Sequence, residues 1–285
     1  MSIAQLRQEY HNRICKENIR IRPHKKNEIG YPNFADIGNE ASMKIAWGIV
    51  NRLSYTADYE SIYGQTSGDR FQIITRDFLE KSFELLHHLR PGKWGYSTLF
   101  AISVFDQYQH LANLEKIVEE NSELASSLGI DYIVKPDIVI GRWPVSDEEI
   151  NRERELINAE DSIAKLTPIR EVNSKRLILH ASISCKWTLR SDRAQNARLE
   201  ALNLIRNRKG SLPHVVAVTA EPLPTRIASL ALGTGDLDCV YHFALPELQE
   251  AISEIVNEDQ LDMLITLIEG RRLRDISDLP FDLAI

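Results

Sequence analysis

The chain has 285 residues, 43% of them apolar, and a formal net charge of −7. That composition supplies a large core and excludes a disordered chain. No apolar run approaches the roughly 20 residues of a membrane helix, so no membrane partner is expected.

The first residues, MSIAQLRQEYHNR, carry no apolar signal core, so a cytoplasmic location is expected. Three scattered cysteines, Cys15, Cys185 and Cys239, fit a reducing compartment better than a disulfide framework or a zinc cluster. Residues 1–39 are polar without clear periodicity and read as a solvated arm. Within them Arg20, Arg22, Lys25 and Lys26 form a basic run that could instead touch phosphate. Asn39–Tyr55 has helical spacing, with Ile45, Ala46, Ile49, Val50 and Leu53 apolar. Gly64–Gly68 (GQTSG) reads as a turn-rich loop. An amphipathic helix follows over about Asp69–Leu89, with Phe71, Ile74, Phe78, Leu85 and Leu86 on or near one face, and Pro91-Gly92 ends it.

Tyr108–Leu128 reads as a helix closed by Gly129. Asp131–Ile140 is short and β-branched and reads as a strand, which Pro136 makes an edge or a bulge. Residues 142–175 are charged and irregular, with helix near Asp147–Ile157. Arg176–Trp187 alternates as a strand: Leu177, Leu179, Ala181, Ile183 and Cys185 on a buried face, Ile178, His180, Ser182, Ser184 and Lys186 on the other. A turn at Thr188–Ser191 leads into a helix over about Asp192–Asn207. Val215–Thr219 and Cys239–Ala244 read as strands, and Glu247–Val256 and Gln260–Arg271 as helices. Strands separated by helices in this order predict an α/β fold, a mixed central sheet flanked by helices, expected as a single domain over 1–285.

The net charge alone argues against a nucleic-acid partner, but its distribution does not. From Arg190 to Lys209 there are six Lys/Arg against only Asp192 and Glu200. A basic face on an acidic body can bind DNA, with steep salt dependence.

Metal-assisted phosphodiester cleavage needs acids that hold a divalent ion and a cation near the phosphate. Sheet nucleases commonly supply Pro-Asp on one strand and acid-x-Lys on the next. Here Pro136-Asp137 and Ser184-Cys185-Lys186 stand in those places. Serine occupies the usual acid position, and Glu200 on the following helix could replace the carboxylate. On that helix Arg193, Asn196, Glu200, Asn203 and Asn207 share a polar face. At its start Arg190, Asp192 and Arg193 suit G·C pairs, since arginine donates to guanine and aspartate accepts from cytosine. The residues equally allow a capping Asp192 with solvated arginines, a turn-forming Asp137 and a surface Glu200.

The run His180–Arg198 (HASISCKWTLRSDRAQNAR) carries a family likeness. So do Gly64–Gly68, Pro136-Asp137, Arg206–Gly210 (RNRKG), Val218–Pro222 (VTAEP), Leu232–Gly235 (LGTG) and Cys239–Leu245 (CVYHFAL). Together they resemble the NgoMIV family of type II restriction endonucleases, CCGG-core members of the PD-(D/E)xK nucleases. The likeness covers nearly the whole chain and is weakest before residue 35 and between 141 and 176. It implies a Mg²⁺-dependent enzyme of restriction-modification that cuts double-stranded DNA at GCCGGC after the first G, as a homotetramer of two back-to-back dimers. By matching position, Asp137 and the Cys185 main-chain carbonyl would ligate metal. Lys186 would contact the scissile phosphate and attacking water, and Ser184 and Glu200 would stand for the displaced acid. Arg190, Asp192 and Arg193 would read the inner pairs, Asp36 and Arg226 the outer pair, and Gln65 the minor groove.

One position departs. Where the family has a glutamate after Phe71, this chain has Gln72, which keeps the shape but not the charge. Asp69, one helical turn away, could partly substitute. The chain is then either an enzyme that tolerates the amide or a catalytically impaired form that binds its site specifically without cutting it.

Overall fold

A computed structural model describes residues 1–24, 27–53, 56, 58–60, 62–120, 134–158, 160, 162–189, 191–233, 235–255 and 257–285, with the side chains of 27, 28, 119 and 191–193 outside the description. Residues 1–39 are not an irregular arm. They form helix α1 (Ile3–Arg13), a π-helical turn (Ile14–Asn18) and a hairpin of β1 (Ile21–His24) and β2 (Asn27–Pro32). Leu6, Tyr10 and Ile14 recur every four residues and are buried, which is the helical period that polar neighbours masked. Ser2 and Gln5 close a capping box at the start of α1. Arg20 is buried and donates to the Lys16 and Ile19 carbonyls, so it is structural, whereas Arg22 is exposed. Lys25 and Lys26 lie outside the described residues.

Helix α2 (Glu40–Arg52) packs Ile45, Ala46, Ile49 and Val50 inward, as expected. Helix α3 runs from Gly64 to Leu85, so GQTSG is its first turn rather than a loop. A Cβ at Gly64 or Gly68 would meet nothing within 4 Å; the glycines leave that face open, and the turn signal they give is overridden by the helix behind them. Phe71, Ile74, Phe78, Leu79 and Phe83 are buried, but Leu85 is exposed.

The central sheet has six strands in the order β3-β4-β5-β6-β7-β8. They are β3 (Trp94–Ser97), β4 (Ile138–Arg142), β5 (Ile178–Lys186), β6 (His214–Thr219), β7 (Cys239–His242) and β8 (Leu273–Asp275). Pairings from β3 to β5 are antiparallel and those from β5 to β8 parallel. Between them lie α4 (Gln109–Glu119), α5 (Asp147–Ile150), α6 (Ser191–Asn207), α7 (Pro224–Ala231), α8 (Leu245–Glu254) and α9 (Glu258–Glu269), with α10 (Leu279–Asp282) after β8. Parallel neighbours need such helical crossovers, which cover the sheet.

Two strand expectations change. The strand expected over Asp131–Ile140 begins only at Ile138, and residues 131–133 lie outside the description. It is internal to the sheet, because β3, unforeseen, lies outside it; Pro136 is tolerated by falling before the first ladder pair. The ladder of β4 with β5 does shift register, but between Ile140 and Gly141, not at Pro136 as expected. On β5, Ser182 and Ser184 are buried along with the apolar parity, as a strand covered on both faces requires. The N-terminus is tied to the far end of the sheet by Arg7, whose guanidinium donates to Asp275 (2.8 and 2.9 Å) and Glu247 (2.9 and 2.7 Å). No described helix is long and apolar enough to cross a membrane.

Candidate active site

The antiparallel register of β4 and β5 pairs Ile138 with Ile183. Asp137, one residue earlier, therefore falls beside Ser184 and the last turn of β5. Its Oδ2 accepts from the Cys185 N–H (2.7 Å) and from Lys186 Nζ (2.9 Å), with Ser184 Oγ at 3.5 Å. Its Oδ1 accepts from Gln72 Nε2 of α3 (2.9 Å). The separation of Pro-Asp from Ser-x-Lys in sequence is thus bridged by strand pairing alone, and Gln72 arrives from the helix packed on the sheet.

Charges here act on one another. Burial would lower the Lys186 pKa, but Asp137 and Glu200 outweigh it and the ammonium is held above its ordinary value. Burial raises the Glu200 carboxyl, Lys186 pulls it back and Asp137 raises it further, leaving it above its ordinary value. The Cys185 thiol is pushed well up, first by burial and then by Asp137; magnesium takes oxygen rather than sulfur donors, so the donor this residue would offer it is the main-chain carbonyl. Two carboxylates facing one ammonium leave an excess of negative charge in a half-closed place. Among the described residues no three His, Cys, Asp or Glu side chains gather as a metal cluster. Magnesium does not require one: it takes one or two carboxylates and keeps waters and phosphate oxygens. The hard oxygen donors of Asp137, Glu200 and the Cys185 carbonyl fit such an ion.

These groups open into a cleft of about 560 Å³, whose wall also carries Gln65, Asp36 and Arg226. Gln65, Asp69 and Gln72 form one stripe of α3 along it, at helical spacing. Arg226 and Asp36 are hydrogen-bonded to each other across 190 residues of sequence. Arg190 lies outside the described residues. Asp192 and Arg193 stand in the first turn of α6, their side chains outside the description. Of the basic run, Arg198 is taken up by Asp236 at 3.1 Å.

Arg22, offered by the sequence as a phosphate contact on an arm, lines the cleft from the hairpin, and so does Glu221, to which the sequence reading gave no role beyond its place in the VTAEP run. A signal for Glu221 exists, since an acid just beyond the carboxyl end of a parallel strand lies where α/β sheets place their sites.

A carboxylate and a lysine thus meet at the end of a mixed sheet, beneath a polar cleft. The family model described as "NgoMIV restriction enzyme" matches residues 10–285. The type II restriction enzyme NgoMIV of Neisseria gonorrhoeae is 48% identical over 287 residues, spanning 99% of this chain and 98% of that protein. The chain belongs to the NgoMIV restriction enzyme family. Among solved structures, a PspGI–substrate DNA complex is 18% identical over 77% of this chain and 60% of that one, with a TM-score of 0.36. Bse634I with cognate DNA is 14% identical over 96% and 91%, also at 0.36. Likenesses that loose bear on nothing in the site.

Proposed function

We propose that this restriction endonuclease hydrolyses double-stranded DNA at GCCGGC, after the first G, in the cytoplasm and as a homotetramer. The observation that carries the chemical part is the meeting of Lys186 Nζ with Asp137 Oδ2 at the mouth of the cleft. Asp137 and the Cys185 carbonyl, with Glu200 beside them, would hold a magnesium ion, whose chemistry there is to polarise the phosphate and make water more acidic. Lys186 exchanges its bond to Asp137 for one to the scissile phosphate and stabilises the charge that develops there. Ser184 and the Cys185 N–H keep the Asp137 carboxylate oriented during that exchange. Arg190, Asp192 and Arg193 read the inner pairs from the start of α6. Asp36 and Arg226 part from each other to read the outer pair, and Gln65 touches the minor groove. The tetramer, the base sequence and the cut position are taken from the family likeness, which the 48% identity strengthens.

A second reading has its own support. The Gln72 amide occupies Asp137 Oδ1, an oxygen that a bound cation would use. In that reading the protein binds its site and does not cut it. Plasmid carrying GCCGGC, incubated with magnesium and sequenced at any ends produced, separates the two. Cuts after the first G support the enzyme, a specific gel shift without product supports the binder, and cuts elsewhere overturn the site assignment.

A further inference from the structure

Glu221 lies two residues beyond β6 and is 1% exposed. Its Oε2 accepts from the Leu189 N–H (2.9 Å) and its Oε1 from the Leu223 N–H (3.3 Å). Leu189 belongs to the turn between β5 and α6. The same segment also grips the start of that turn: Thr219 Oγ1 (2.8 Å) and the Ala220 N–H (3.2 Å) both donate to the Lys186 carbonyl. On the other side Arg226 Nη1 stands 3.9 Å from Glu221 Oε1, within reach of charge but beyond a hydrogen bond. The tight bond of Arg226 goes to Asp36.

Two backbone N–H groups could be satisfied by a neutral side chain, and burying a carboxylate costs free energy that a neutral one would not. The charge has a use if Arg226 must leave Asp36. Donation to guanine by Arg226 while Asp36 accepts from cytosine draws on the same guanidinium edge and carboxylate that now face each other, and so favours their separation. Glu221 is then the anion that keeps the guanidinium at the cleft wall.

We propose that Glu221 is a positioning residue that joins the turn leading into α6 to Arg226, so that the inner and outer base pairs are read by one coupled unit. The inference rests on the recognition roles proposed above. It also carries a pH signature. Burial, reinforced by Asp36, pushes the Glu221 carboxyl up to about 7, against the Leu189 N–H and Arg226. The groups facing it are Arg226 from α7, Asp36 from the segment after β2, and His242 of β7, which burial holds down at about 4. Glu221 therefore changes charge near neutrality and His242 does not.

The test uses the full-length protein and a duplex pool randomised over six base pairs, so that the wild-type protein itself defines its site at pH 8. Competition binding then compares that site with duplexes changed at an outer or an inner pair, at pH 6 and pH 8. The wild-type protein is expected to lose discrimination at both kinds of position on the order of tenfold at pH 6. Glu221→Gln, which keeps the volume and one acceptor, should show the low values at both pH values. Because the pH change acts on the native chain, the outcome does not depend on a variant folding. Glu221→Gln with wild-type discrimination and pH response overturns the proposal, as does a loss confined to the outer pair. A selected site other than GCCGGC overturns the site assignment alone, since coupling is read on whichever site is selected. A pool with no enrichment overturns the recognition reading and the coupling with it.

Discussion

Restoring a carboxylate at position 72 tests how the site manages its charge. Gln72 Nε2 donates to Asp137 Oδ1 at 2.9 Å. Gln72→Glu removes that donor and sets a second anion against the first. Losing a hydrogen bond to a charged group costs about 1.5–3 kcal/mol. Repulsion adds to this, while Lys186 at 2.9 Å from Oδ2 and partial exposure of the site offset it. The expected net loss without metal is about 2 kcal/mol, a fall in Tm of roughly 3 °C for a chain of this size. A divalent ion at about 100 times its Kd stabilises by about 2.7 kcal/mol, enough to close the gap. Scanning calorimetry in chelator and in saturating magnesium measures both terms, and plasmid nicking follows the activity. The variant should be less stable than wild type in chelator, gain more from magnesium, and cut faster. A variant as stable as wild type in chelator, or one that gains no more from magnesium, would refute the idea that the Gln72 amide holds the Asp137 carboxylate.

Other expectations concern cutting, reading and holding. Lys186→Ala should reduce cleavage at least on the order of a hundredfold while specific binding in gel shifts persists; retained cleavage removes Lys186 from the chemistry. Arg193→Ala should lower discrimination at one base pair by about 1–3 kcal/mol. An equal loss on all sequences, with a shallower salt slope, would make it a phosphate contact instead. Arg7→Ala leaves Asp275 and Glu247 unpaired and should cost about 3 kcal/mol in urea unfolding; a change within about 0.5 kcal/mol would show the network to be idle. Burial alone would raise these two acids, but Arg7 outweighs it and both sit below their ordinary values of 3.8 and 4.5. Their contribution is therefore present above those values and lost as pH falls through the lowered ones, and Arg7→Ala should flatten that acid limb of the stability profile.

The helices and strands around β5 were legible because their periodicity is strong: alternation over Leu177–Cys185, and the apolar stripe from Phe71 to Phe78. The pairing of Asp137 with Lys186 was legible from motif and parity together. The N-terminal fold was not, since α1 buries few side chains and its polar surface hides Leu6, Tyr10 and Ile14. Strands β3 and β8 were missed because strands of four and three residues give too little alternation to register. Helix α3 was begun too late because glycine marks turns locally, while packing against the sheet decides. The bond of Asp36 to Arg226 and the place of Glu221 depend on contacts between distant segments, which no local pattern carries. The family likeness, by contrast, pointed to both Asp36 and Arg226, and they do stand together.

The Arg7 network also sets a clock. Asp137 and Lys186 are 49 residues apart, Asp36 and Arg226 are 190, and Arg7 and Asp275 are 268. At about 5–20 residues per second, the first of these contacts is available within roughly 2–10 s of its first member leaving the ribosome, and the last only after roughly 13–54 s. A growing chain therefore gathers its lysine and carboxylate well before its first helix can be fastened to its last strand. Through that interval α1 is held by its contacts with α3, among them the pair of Arg13 with Asp77 (2.8 Å), and the chain is open to chaperones and proteases at its amino end. Arg7→Ala should keep the finished protein in that half-fastened state.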